Sequence, residues 1–363
     1  MANFTVPAAN PDFAALQAYA GEYKNALIKK LYFDLNLEAD GVLVIPGVKN
    51  KLNMHKMLVK KGLKPFTGVF NAKANDISFE PRVLSVDKAQ RDMQIQPSLY
   101  LPTFMAKLRA AGENAANLSI PFAQHMWEEV IRETANEIVT ETVYNGVGAA
   151  AFAAYGAGTA YAVGDLVKYT QDGEVRYFRC IAITTAGQNP DTHPAKWEWA
   201  GGRAIAKGFN SIFATEVAGG GLVPIATGAI TNSTAYAQFL QMFRGLPEQV
   251  RKAGAMVYCS MTSKDYLNDD YENRISKNFE TIDGITYLAK TDRKCIVKPV
   301  DWLTNTGRLI ATVPNNLVIG TDSLSDATDI KVMEQMYHID AGMTFMYGSQ
   351  IQDLDVIRIN DQQ

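Results

Sequence analysis

Cysteine is scarce in this 363-residue chain: Cys180, Cys259 and Cys295 stand far apart, with no C-x-x-C spacing. That excludes a disulfide framework and reads as buried thiols in a reducing compartment. The four histidines, His55, His125, His193 and His338, are equally scattered, so no local pair offers a metal site. No P-loop, G-x-S-x-G elbow or dinucleotide fingerprint occurs, and the glycine run at 219–221 lacks the strand-to-helix context such motifs need. No apolar run approaches the roughly 18 residues that span a bilayer. The N-terminus, "MANFTVPAANPDF", lacks the charged-then-apolar pattern of a signal peptide. A basic excess is missing too: 35 Lys and Arg face 38 Asp and Glu, a formal net charge of -3. This argues against tight nucleic-acid binding over the whole surface, though not against a surface that lies near DNA. The expectation is a protein that is not an enzyme, with no cofactor, no metal and no membrane association.

What is present is an ordinary globular composition, 47% hydrophobic and 20% charged, long enough for two or three domains. A short helical piece, "PDFAALQAYAGEYKNALIKKLYF", precedes an extended "GVLVIPGV". From Lys49 to Lys64 come six lysines and no acid, a solvated basic face or an anion site. Residues 66–102 alternate as strands, with "DKAQRD" expected as a turn between two extended arms. A long two-stranded ribbon buries no core of its own, which points to a neighbouring subunit. "SIPFAQHMWEEVIRETANEIVTETVYNGVG" is the strongest helix. Pro121 lies in its first turn and Gly146 at its stop. Trp127, Ile131, Ala135 and Ile138 form an apolar stripe, and Glu129, Glu133, Glu137 and Glu141 recur every four residues on another face. Beyond residue 203 helix and strand alternate. One amphipathic helix is expected to end at Gly254, a buried strand follows at "AMVYCS", and a short helix is capped by Thr262 or Ser263. Four further strands and a closing extended stretch complete an α+β pattern with long-range strand return.

That order, and above all "LPEQVRKAGAMVYCSMTSKDYL" and "FEPRVLSVDKAQRDMQIQPSLY", resembles the tailed-phage major capsid proteins of the Hong Kong 97 (HK97-like) fold. The resemblance implies an N-terminal arm at 1–48, an extended loop at 49–98 and a peripheral domain at 99–152 with a spine helix at 121–146. It further implies a mainly axial domain at 203–325 and a return to the peripheral domain at 326–363. It implies self-assembly, through hexamers and pentamers, of an icosahedral shell around double-stranded DNA held without sequence specificity. A portal would be a partner, and with the first Met almost at the arm, scaffolding would come from a separate protein or not be needed. The location would be the virion capsid, assembled in the host cytoplasm. Lys60, Lys61 and Lys64 are the candidate inter-subunit contacts. A nanocompartment shell of the same fold is the alternative, as is a carbohydrate-active protein carrying a binding module.

Residues 153–202 interrupt this order with a small aromatic unit. Tyr155, Tyr161, Gly164-Asp165, "RYFRC", Pro194 and Trp197 resemble a small chitin-binding-type carbohydrate-binding module, with Tyr155 where that family usually has Trp. The resemblance implies an all-β insertion domain that binds host or mucus glycans through Tyr155, Trp197 and Trp199. From the residues themselves, a domain this small is as ready to spend those rings on its core. Gly164-Asp165 reads as a turn, and the Gly- and Ala-rich flanks read as isolating linkers.

Overall fold

The computed structural model describes residues 37–61, 63, 65–66, 68, 77–95, 119–272, 279–322, 329–334 and 338–362. The first 36 residues of the arm expected at 1–48, and Lys64, lie outside them. The chain is mixed α/β and divides into two compact units. One is built chiefly on Asp87–Lys207 and Thr321–Tyr347, the other on Asp40–Val86, Gly208–Gly320 and Gly348–Gln363.

In the first unit Ser119–Glu137 is an α-helix that continues directly as a π turn over Ile138–Val143. The rod expected at 121–146 runs over 119–143, with its last six residues wound wider. Its stripe of Trp127, Ile131, Ala135 and Ile138 is buried, while Phe122 and Met126 are side chains outside the described set. The glutamate row divides: Glu129 and Glu133 are exposed, Glu137 accepts from Arg91 Nη1 at 3.1 Å, and Glu141 pairs with Arg203.

Residues 87–95 are not the expected turn. Asp87–Ile95 is a strand that pairs antiparallel with residues 339–347, Asp87 opposite Tyr347 and Ile95 opposite Ile339. Asp329–Glu334 lies on the other side of that partner. The alternation is real but disguised. Ala89 is buried, Arg91 turns inward to Thr134 Oγ1 and Glu137, and Met93 is half-buried, while Lys88, Gln90, Asp92 and Gln94 are exposed. An arginine in the inward set hides the period-two signal.

The same unit holds residues 153–202. Ala153–Ala154, Leu166–Gln171, Glu174–Cys180 and Trp197–Trp199 form a four-stranded sheet in that order. Its central hairpin turns at Asp172 and Gly173, both with positive φ, as a tight two-residue connection requires.

The second unit centres on a six-stranded sheet. Its order is Phe279–Ile282, Ile285–Leu288, Cys295–Pro299, Ala255–Cys259, Ile310–Thr312, Arg358–Ile359. Helices Ala235–Arg244 and Met261–Glu272 pack on it, bringing Phe239, Phe243 and Leu267 against Val257, Val297 and Leu309. The single helix expected up to Gly254 is two, Ala235–Arg244 and Glu248–Ala253. Gly245 closes the first, its N–H donating to the Gln241 carbonyl at 3.0 Å. Pro247, which has no amide to donate, opens the second. The next helix is capped by Ser260, whose Oγ accepts from the Ser263 N–H at 3.2 Å, rather than by Thr262 or Ser263. All three thiols are free and buried. Burial pushes Cys259 up to about 12 and Cys295 further, so both stay protonated and unreactive.

Candidate functional site

Two surfaces collect the candidate residues. The first is a ribbon in the second unit, Lys51–Val59 paired antiparallel with Ile77–Ser85, Lys51 opposite Ser85 and Val59 opposite Ile77. Successive side chains point to opposite faces. Leu52, Met54, Lys56 and Leu58 therefore share one face with Glu80, Arg82 and Leu84. Asn53, His55, Met57 and Val59 share the other with Ile77, Phe79, Pro81 and Val83.

The first face is tied to its own unit. Lys56 Nζ donates to Asp353 Oδ1 at 2.7 Å and to Asp355 Oδ2 at 2.5 Å. Arg82 donates through Nη2 to Glu216 Oε1 at 2.8 Å and Gln350 Oε1 at 2.9 Å, and through Nε to the Ile351 carbonyl at 2.7 Å. Burial alone would press the Lys56 pKa down. Its bonds and attraction to the two carboxylates outweigh that and hold it above the ordinary lysine value. Leu84 is fully buried.

The second face is uncovered. Met57 is 58% exposed, Val59 65%, Ile77 57%, Phe79 62% and Val83 42%. Of the lysines expected as contacts, Lys60 and Lys61 are exposed just past the end of Lys51–Val59, and Lys49 and Lys51 are exposed at its start. Lys56 differs from its neighbours because its charge is already matched.

The second surface lies on the small sheet module of residues 153–202. Tyr161, Val167, Cys180 and Trp197 are its core, with Tyr155 and Phe178 packed against them. Tyr155 stacks on Tyr161, ring centroids 5.5 Å apart, and meets Tyr169 and Trp197 edge-on. Its hydroxyl is buried with no partner among the described residues, and that burial raises its pKa. Trp197 is buried and donates its indole N–H to the Gln188 carbonyl at 3.1 Å. Trp197 thus serves the interior, and Tyr155, half-buried, packs against it. Trp199 is 52% exposed. Phe178 stands edge-on to it at 5.9 Å, and its indole lies across Gly201, where a Cβ would come within 2.8 Å of Nε1. The ring is exposed and fixed.

The structure brings polar groups to the same sheet face. Tyr169 Oη donates to Asp191 Oδ2 at 2.9 Å, Gln171 Nε2 to Asp191 Oδ1 at 2.6 Å, and Arg176 Nη1 to Gln171 Oε1 at 2.7 Å. Sequence reasoning missed this row. The register around the Asp172-Gly173 turn would have found it, because it sets Tyr169 opposite Arg176. Gly164-Asp165 is a turn, with Asp165 Oδ2 accepting from the Ala162 N–H at 2.8 Å.

The opposite face of the module does not hang free on its flanks, as their composition suggested. Phe152, Ala200 and Ala204 form a buried cluster with Leu166 and Tyr177, and the Phe152 and Tyr177 rings meet edge-on at 5.0 Å.

No protein-family model and no curated protein matches the chain. Among solved structures it is similar to a chain of the satellite phage P4 procapsid, which includes the size determination (Sid) protein. The identity is 11% and the TM-score 0.49, over 99% of this chain and 92% of that one. It is similar to the capsid of the myovirus phage XM1 at 11% identity and TM-score 0.44, over 90% and 91%. It is also similar to the SrpI encapsulin of Synechococcus elongatus PCC 7942 at 10% identity and TM-score 0.41, over 90% and 86%.

Proposed function

We propose that this chain is a shell subunit, copies of which assemble through hexamers and pentamers into an icosahedral capsid around the double-stranded DNA of a tailed phage. The ribbon supports the reading. A two-stranded ribbon cannot bury a core by itself. This one ties its inner face to its own unit and presents a row of exposed apolar side chains on the other. Contiguous apolar surface of that kind is the mark of an interface that another protein covers. A repeated subunit supplies such a partner at every position of a closed shell. DNA inside would be enclosed without base readout, in keeping with a chain of formal charge -3. A portal and a separate scaffolding protein are the further partners of this reading, with assembly in the host cytoplasm and residence in the virion. The test is electron microscopy of the protein expressed alone and with its neighbouring genes. Closed shells are expected. A monomer under both conditions overturns the reading, and shells filled with protein cargo would favour a nanocompartment.

Trp199 supports a second role for the module, weak binding of host or mucus glycans. A fixed exposed ring beside ordered polar groups suits a sugar face, and one stacked ring contributes on the order of 1 kcal/mol beyond area burial. Hundreds of copies on one particle convert weak contacts into retention through effective concentration. Particles should be held on glycan-coated surfaces by the wild type and not by Trp199→Ala.

A further inference from the structure

The short helix Gly201–Ile205, which leads out of the module, lies against the π turn that ends the spine helix. Three kinds of contact join them. Thr142 Oγ1 donates to the Gly202 carbonyl at 2.9 Å in a buried setting. Arg203 pairs with Glu141. The N–H groups of Val147 and Gly148, where the chain leaves the spine, both donate to the Arg203 carbonyl, at 2.9 and 3.0 Å. The fit is close: a Cβ on Gly202 would stand 2.9 Å from Glu141 Cβ.

A π turn leaves backbone groups that an α-helix would have paired, and, though rare, it is frequent at functional sites. Here the Thr140 carbonyl is taken by Asn145 Nδ2 at 3.0 Å. On its other side the exit segment is fastened to the module, because the Ala200 N–H donates to the Tyr177 carbonyl at 2.9 Å and Ala204 packs with Phe152.

We propose that residues 201–205 are a wedge that holds the end of the spine in its π turn, so that seating of the module sets the winding of the spine's last six residues. The two states are a docked wedge with residues 138–143 in π geometry and an undocked wedge with that segment relaxed. A force or ligand acting on the module reaches the spine through this contact. The inference stands whether or not the subunit builds a shell.

Hydrogen exchange on the full chain tests it. Gly202→Val should accelerate exchange of residues 138–148 about tenfold or more while residues 166–180 and Trp199 fluorescence keep their wild-type behaviour. Thr142→Val, which keeps the volume and removes the bond to the Gly202 carbonyl, should produce a smaller change in the same peptides, and it serves if Gly202→Val does not fold. Unchanged exchange at 138–148 in Thr142→Val overturns the proposal. So does equal acceleration in 166–180, which would make the contact ordinary packing rather than a local device.

Discussion

Met57 and Phe79 stand directly opposite each other across the ribbon, and both are more than half exposed. A cross-strand apolar pair contributes little to a ribbon bathed in water. Covered by a second chain, the same two side chains become the centre of a buried patch. Met57→Glu with Phe79→Glu should therefore leave the subunit folded, with a thermal midpoint near wild type, and abolish particles in sedimentation. Particles formed normally by this variant would remove the ribbon's outer face from the interface.

Charge just past the end of Lys51–Val59 makes a separate expectation. Lys60→Glu with Lys61→Glu should block or misdirect assembly without unfolding the subunit, if the lysines meet an acidic neighbour. Electron microscopy distinguishes aberrant shells from none. Normal shells would return these lysines to the role of a solvated face.

The inner face carries a pH dependence. The Lys56 pKa is raised in the folded chain, so its ion pairs stabilise fully below the ordinary value of 10.5 and are lost as pH rises through the raised value. The difference in urea midpoint between wild type and Lys56→Met should be steady from pH 7 to 9.5 and shrink above about 10.5. A difference that persists undiminished at pH 12 would mean that packing of the lysine stem, not its charge, holds the ribbon.

Within the module, two tyrosine hydroxyls should behave oppositely. Tyr155→Phe removes a buried hydroxyl without a partner and should be neutral or stabilising. Tyr161→Phe removes the acceptor of the Gly156 N–H at 2.7 Å and should cost about 1 kcal/mol. Denaturant midpoints of the two variants check the contrast.

The tryptophans should separate likewise. Trp197→Ala opens the small core and should cost about 3–5 kcal/mol of module stability. Trp199→Ala should leave the module's thermal midpoint near wild type and reduce only retention on glycan surfaces. A module that unfolds without Trp199 would make that ring structural.

Much of this was legible in the order of residues. The spine stripe from Trp127 to Ile138 follows from helical spacing alone, because Trp127, Ile131, Ala135 and Ile138 are all apolar and Thr134 is the one polar residue buried among them. The strand at 87–95 does not, since its inward Arg91 finds its match in Glu137, 46 residues away. Lys56 looked like its neighbouring lysines for the same reason: Asp353 lies 297 residues further on. Trp197 and Trp199 share one sheet face two residues apart, and only the layer formed by Tyr155 and Tyr161 decides which is interior. Local pattern reports the faces of an element, whereas charge partners and covering layers come from distant chain.

Pro81 sits opposite His55 in the middle of the ribbon. A proline has no amide hydrogen, so the pairing of these two strands can continue past it only if that position looks away from Lys51–Val59. Among the described residues no strand pairs with the other border of Ile77–Ser85, though the Val83 carbonyl accepts from Gln350 Nε2 at 2.9 Å, and that border is therefore missing one donor at its centre. Strands that stack edge to edge without limit, as in a fibril, need an unbroken row of donors and acceptors. This border interrupts that row while the broad apolar side stays available. In the proposed shell, where copies of this chain meet, that one imino acid would act as a brake against their meeting the wrong way.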